Sequence, residues 1–317
     1  MQFEPPTESE RLAAIGPTAG LPPALQRALT PGAEFVPLPA PGPHDWLANH
    51  PEPGQTFAEF VRSRPLRPDQ ARHKLCLQPL GEFDPQAAAL FGADPTAKGE
   101  QQPLETLRRF AATFFMLDVE VLPPLPLEQA HVRARRNPYT GRRQLLTGDI
   151  LRLLRRRLPD DAFALLGITM VDLYPEESWN FVFGQASLRE RVGVYSFARY
   201  DPRFHEPDRG ALTAAQQRLV LRRSCRVLAH ESAHMFGLQH CIYYRCVMNG
   251  SNHLAECDAR PLHLCPVDLR KLQASVGFDV VERYRRLREF WQALGFADEA
   301  EWLTRRLEKL QPYAPHP

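Results

Sequence analysis

The sequence predicts an α/β fold with a mixed sheet, and three observations predict it. Apolar residues recur at helical spacing in "LETLRRFAATFFML", from Leu104, and in "TGDILRLLRRRL", from Thr147. Strand-like runs lie between and after them: "DVEVLPPLPL", "WNFVFGQAS" and "RVGVYSFARY". The clearest is "AFALLGITMVDLY", whose unbroken apolar run suits a strand buried on both faces. From Leu212 to about Leu238 the pattern is helical again. Three more helical stretches follow near Asp268–Ala274, Val280–Leu294 and Asp298–Leu310. Helix, strand, helix, strands, long helix and C-terminal helices make an α/β plan. In the second helix Thr147 is the expected N-cap, with Asp149 in the first turn near the positive end of the dipole.

Composition frames this plan. The chain has 317 residues, 44% hydrophobic and 24% charged, which is ordinary for a globular protein of one large or two modest domains. A net charge of +2 points to no particular partner. More than half of the 31 prolines precede Leu104. Proline fixes φ and removes a backbone donor, so long regular elements are not expected there. Residues 1–102 therefore read as a proline-rich extension packed on a main domain at 103–317. Short helices are expected in it at Phe57–Ser63 and Pro85–Phe91.

No apolar run approaches the ~20 residues of a membrane helix. The start, "MQFEPPTESERLAAIG", lacks a basic region followed by an apolar one, so it does not read as a secretory signal. A cytoplasmic location is the resulting expectation. Six cysteines could form a disulfide framework, but a reducing compartment favours thiols or metal ligands. Cys76 and Cys225 read as buried thiols. From His131 to Arg157 there are nine arginines and one acid, Asp149. A nucleic-acid groove and a solvated face both fit. The near-neutral chain and the absence of interleaved aromatics argue for the solvated face.

The chemistry concentrates in "HESAHMFGLQHCIYYRCVMNG", from His230 to Gly250. His230 and His234 sit one turn apart on the predicted helix, so their imidazoles can converge on one ion. Glu231 lies beside the first histidine, where a general base can act without being a ligand. Gly237 can take positive φ and turn the chain back, bringing His240 to the same ion. Three histidines leave a fourth position open, the mark of a catalytic zinc site. His-Glu-x-x-His-x-x-Gly-x-x-His followed by a methionine turn is the metzincin motif. Met248 suits that turn, although a core methionine would look the same. His253 reads as a hydrogen-bonding residue. Tyr243 and Tyr244 could serve the site or merely pack the loop.

Beyond the motif, Cys241, Cys246 and Cys265 follow at a recognisable spacing. With "GITMVDLYPEESWNFVFGQASL", "GVYSFARY", "NGSNHLAECDARPLHLCP" and "VGFDVVERY", the chain resembles the archaemetzincin family in its animal-type branch. The resemblance runs from about Gly148 to Tyr284. Upstream only "HDWLANHPE" looks familiar. It implies a metzincin-like mixed sheet with a long active-site helix. It also implies two zinc ions, one catalytic and one structural, and hydrolysis of peptide or protein substrates. For animal forms it suggests aminopeptidase action on short peptides.

The family pattern ends in Cys-x-x-Cys, whereas this chain has Cys265-Pro266-Val267-Asp268. Asp268 stands in the fourth ligand's place, and carboxylate oxygen is a competent zinc donor. Cys257 is the alternative, a better donor chemically but out of sequence order. Metzincins also pair substrate with an edge strand, a role that falls to Val182, Phe183, Gly184, Gln185 and Ala186. The competing reading is a zinc-binding interaction module that keeps the fold without catalysis.

Overall fold

The computed structural model describes residues 3–83, 90–91, 104–206 and 209–311. Among these residues are eleven α-helices and eight β-strands. The chain divides into two compact units. One comprises Met1–Pro65, Thr113–Met116 and Gly237–Pro317, and the other Leu66–Ala112 and Leu117–Phe236. The expected boundary near residue 102 lies outside the described residues, as does the expected helix at Pro85–Phe91 apart from Leu90 and Phe91.

All eight strands belong to the second unit. Its larger sheet has the order β2-β1-β5-β8-β7, with β1 at Lys74–Leu80, β2 at Asp118–Val121, β5 at Ala162–Thr169, β7 at Gly184–Ala186 and β8 at Val192–Ser196. Pairings are parallel except that of β7 with β8. A smaller sheet joins β3 (Ala134–Arg136), β4 (Arg143–Leu146) and β6 (Asp172–Tyr174). The helices at Thr147–Arg157 and Ala214–Met235 pack on the larger sheet.

The sheet corrects the reading of the proline-rich region. β1 lies within it, yet it is an interior strand between β2 and β5. It accommodates Pro79 by position. Pairing with β2 ends at Leu77 and Val121, so the donor that proline lacks faces a side where β2 has stopped. The Pro79 carbonyl there accepts from Leu125 N–H at 2.9 Å.

Two further expectations are corrected. The run "AFALLGITMVDLY" is two strands in different sheets, broken at Met170–Val171. The N-cap of the Thr147–Arg157 helix is Leu146, not Thr147. Thr147 instead turns its hydroxyl inward to the Tyr174 carbonyl and the Gln185 side chain.

In the first unit, the N-terminal segment is tied to the C-terminal helices at Val280–Ala293 and Ala297–Leu310. Arg27 donates to the Leu310 carbonyl at 2.6 Å, and buried Arg306 to the Ala28 carbonyl at 2.8 Å. Lys309 pairs with Glu34 at 2.6 Å.

A buried ion pair holds the smaller sheet to the segment after β8. Arg199 donates twice to Asp172, each bond 2.8 Å, and Gln144 adds a third at 2.8 Å. Removing one partner would leave a buried charge without compensation. Asp172→Ala should therefore lose roughly 3–5 kcal/mol of stability, read as a lower urea midpoint. A midpoint equal to the parent's would show that the pair contributes nothing net.

Candidate metal centre

The helix at Ala214–Met235 presents His230, Glu231 and His234. It starts with a capping box between Thr213 and Gln216 and stops at Phe236. Gly237 follows with φ +85°, a conformation that strains any residue with a Cβ. A Cβ there would also meet Pro65 at 2.7 Å. The turn is therefore glycine's on two counts, as the sequence implied.

His230 Nε2 and His234 Nε2 lie 3.1 Å apart. Two nitrogens bound at ~2.0–2.1 Å to one tetrahedral zinc would be roughly 3.3 Å apart, so the pair fits a single ion. His240, from the same continuous stretch, completes a group whose ligand atoms all lie within 4.8 Å of one another. His230 is buried, while His234 and His240 are half-buried. The three imidazoles thus fit the nitrogen donor set of a catalytic zinc. The Met248 carbonyl accepts from Cys241 N–H at 2.9 Å, which ties the methionine turn to the residue after His240.

Glu231 is buried and stands against β7. A methyl group built on Gly184 would lie 2.6 Å from Glu231 Oε1 and 2.8 Å from its Cγ. Only glycine leaves room for that carboxylate. Of the five residues expected in the edge strand, Gly184–Ala186 form β7. Phe183 still accepts from Ser196 N–H at 2.9 Å, and Val182 donates to the Leu173 carbonyl at 3.1 Å. Among the described residues β7 is paired on the β8 side alone.

A second group gathers Cys241, Cys246, Cys265 and Asp268, all buried, with ligand atoms within 4.8 Å of one another. Cys241 Sγ and Cys265 Sγ are 3.5 Å apart, and Asp268 Oδ2 is 3.3 Å from Cys246 Sγ and 3.4 Å from Cys265 Sγ. Pro266 opens the helix at Pro266–Val276 and sets Asp268 in its first turn. The other Asp268 oxygen accepts from fully buried Lys271 at 2.9 Å. Cys257 stands outside the group, its sulfur 3.0 Å from Arg260 Nη2.

The electrostatics of this group fit a cation. Burial raises Asp268 to about 7, with the Cys241 charge adding to the effect and Lys271 opposing it. Burial also pushes Cys241 up, but contacts with the Cys246 and Cys265 thiols and the Lys271 charge bring it well below the usual thiol value. Cys246 and Cys265 are held well above it, chiefly by burial. Three thiolates and a carboxylate carry four negative charges. Lys271 offsets one, and a divalent cation held there would offset two more.

Sequence reasoning missed three residues here. Lys271 carries no motif. Asn249 ties the cysteine loop, accepting from Cys246 N–H at 2.7 Å and donating to the Cys241 and Tyr244 carbonyls at 2.8 and 2.9 Å. Glu52 accepts from His240 Nδ1 at 2.8 Å. Its only signal was the stretch "HDWLANHPE". His253 has the hydrogen-bonding place expected of it, between Asp45 at 3.0 Å and Glu256 N–H at 3.2 Å. Tyr243 and Tyr244 are buried in loop packing against the segment at Pro37–Leu38. Cys76 and Cys225 are buried thiols. In the arginine-rich stretch, Arg133 and Arg152 pair with Asp149, and Arg155 with Glu190.

Archaemetzincin-2 of Homo sapiens is 38% identical over 286 residues, spanning 83% of this chain and 76% of that protein. The chain belongs to the archaemetzincin family. The model of peptidase family M54 matches residues 127–274. Archaemetzincin-1 of Homo sapiens is 35% identical over 274 residues, 79% of this chain and 52% of its own length. The solved archaemetzincin of Methanopyrus kandleri is 30% identical and covers 66% of this chain and 98% of its own, at a TM-score of 0.45. The chain is accordingly a zinc metallopeptidase acting on peptides or proteins. No helix among the described residues is long and apolar enough to cross a membrane.

The contact at Gly184 is directly testable. Gly184→Ala should force Glu231 aside and lower kcat about 10- to 100-fold, with zinc content and unfolding midpoint near the parent's. Parental turnover would show that the carboxylate's position is not limiting.

Proposed function

We propose that this archaemetzincin hydrolyses short peptides from their amino end, with Glu231 as general base and a second, structural zinc beneath the active-site loop. The carrying observation is the placement of the Glu231 carboxylate, adjacent to His230 in the helix and in contact with Gly184 of the edge strand β7. A substrate strand paired to β7 would run past that carboxylate. β7 has three residues, about 10 Å of edge, which suits a short peptide.

Zinc held by His230, His234 and His240 would supply Lewis-acid polarisation of the scissile carbonyl and a lowered pKa for water at its open position. Glu231 takes the proton of the attacking water as the new C–O bond forms. It returns that proton to the leaving nitrogen as the C–N bond breaks. β7 holds the substrate backbone in line. The amino-end preference is supported by the resemblance to animal archaemetzincins. Cys241, Cys246, Cys265 and Asp268 would hold the structural zinc. Four protein donors would leave no place for substrate, and its thiols suit a reducing, cytoplasmic setting.

Two experiments test the reading. A mixed peptide pool should be cleaved by the parent and spared after chelation. Glu231→Ala should lose 10²-fold or more in turnover while keeping its zinc. Acetylated peptides should resist; equal cleavage of both forms would overturn the amino-end preference. Metal analysis should give two zinc equivalents in the parent. Asp268→Ala should fall toward one equivalent, and Cys257→Ser should not. The reverse result would hand the fourth position to Cys257.

A further inference from the structure

His240 is the one histidine of the three that no helix holds. It lies beyond Gly237 in a loop, and a loop histidine can rotate about χ1 and χ2 unless something stops it. The contacts that stop it come from far away in sequence. Glu52 places both carboxylate oxygens on His240 Nδ1, at 2.8 and 3.1 Å. Trp46 Nε1 donates to the same carboxylate at 2.9 Å. The Trp46 ring also meets the His240 ring edge-on, with centroids 5.1 Å apart.

We infer that Glu52, supplied by the proline-rich N-terminal segment, is a positioning residue for the catalytic zinc, holding His240 with its Nε2 toward the ion. The inference rests on the reading of His240 as a zinc ligand. A carboxylate on Nδ1 demands a proton there. The neutral ring then carries its lone pair on Nε2, the tautomer a ligand needs.

The local chain makes Glu52 a stiff support. Pro51 has a fixed φ, and Pro53 keeps Glu52 out of the helical region. Little backbone freedom remains to be lost when Glu52 meets His240. The next residues continue along the same loop. Gly54, at φ +74°, passes so close that a Cβ would meet Ile242 at 2.6 Å. Buried Gln55 donates to the Gly237 carbonyl at 3.2 Å and accepts from Gln239 N–H at 3.2 Å. Residues 52–55 thus brace the loop from its turn to just past the third histidine. All of them lie outside residues 127–274, the part matched by the peptidase family M54 model.

The test measures zinc binding rather than turnover. Zinc-loaded protein is titrated with a graded chelator, and His240→Ala identifies the release phase of the histidine site. Glu52→Gln keeps the size and loses the charge. That phase should weaken about 10- to 100-fold, while the cysteine-site phase stays put. Trp46→Phe removes the second donor but leaves the carboxylate on His240, so a smaller loss is expected. In the cobalt-substituted protein, Glu52→Gln should also shift the visible absorption of the histidine site. Should Glu52→Gln fold poorly, nitrogen-15 NMR of the zinc-loaded parent decides: His240 must carry its proton on Nδ1. A proton on Nε2, or parental zinc affinity in a folded Glu52→Gln, overturns the inference. If His240→Ala keeps both phases, the ligand reading itself fails, and the two failures are distinguishable.

Discussion

Three imidazoles have to meet at one point, and a single helix can carry only two of them. His230 and His234 are aligned by helical geometry alone. The third has to come from a chain that has left the helix, reversed, and been stopped in the right place. Gly237 makes the reversal possible because its φ is +85°. Everything between Gly237 and Met248 then has to be held, because a loop that relaxed would withdraw His240 from the group.

The loop is held from two sides within its own unit. Cys241 and Cys246 bind it to Cys265 and Asp268 at the start of the Pro266–Val276 helix. Asn249 closes the same loop with three backbone hydrogen bonds. Glu52 and Gln55 support it with a carboxylate on His240 and an amide across Gly237 and Gln239. The cysteine group is costly to bury because desolvation disfavours the charged forms of its acids, and Lys271 offsets part of that cost. Retaining such a group makes physical sense if its cation fixes the loop that delivers the third histidine.

Within the second unit the larger sheet meets Glu231. β7 is its edge, and Gly184 gives up a side chain so that Glu231 can occupy the space. On the proposed mechanism, the Glu231 carboxylate against the edge strand stands where a paired peptide would pass. Fold and chemistry meet in one missing methyl group.

Local rules made much of this legible in the sequence. A four-residue spacing places two histidines on one helix face, a glycine permits the turn, and proline after a cysteine opens the last helix of the site. Each of these follows from covalent geometry and near neighbours, so a single stretch suffices to read it. What failed was whatever depends on partners distant in the chain. β1 was hidden among prolines because the harmlessness of Pro79 depends on where β2 stops. The apolar run after Ala162 gave no sign of its break, because apolar burial is equally served by two sheets. Thr147 looked like a cap until Tyr174 and Gln185 claimed its hydroxyl. Glu52 stands 188 positions from His240. A carboxylate in a proline-rich stretch has no local reason to be there, and only tertiary packing brings it to the ring it holds.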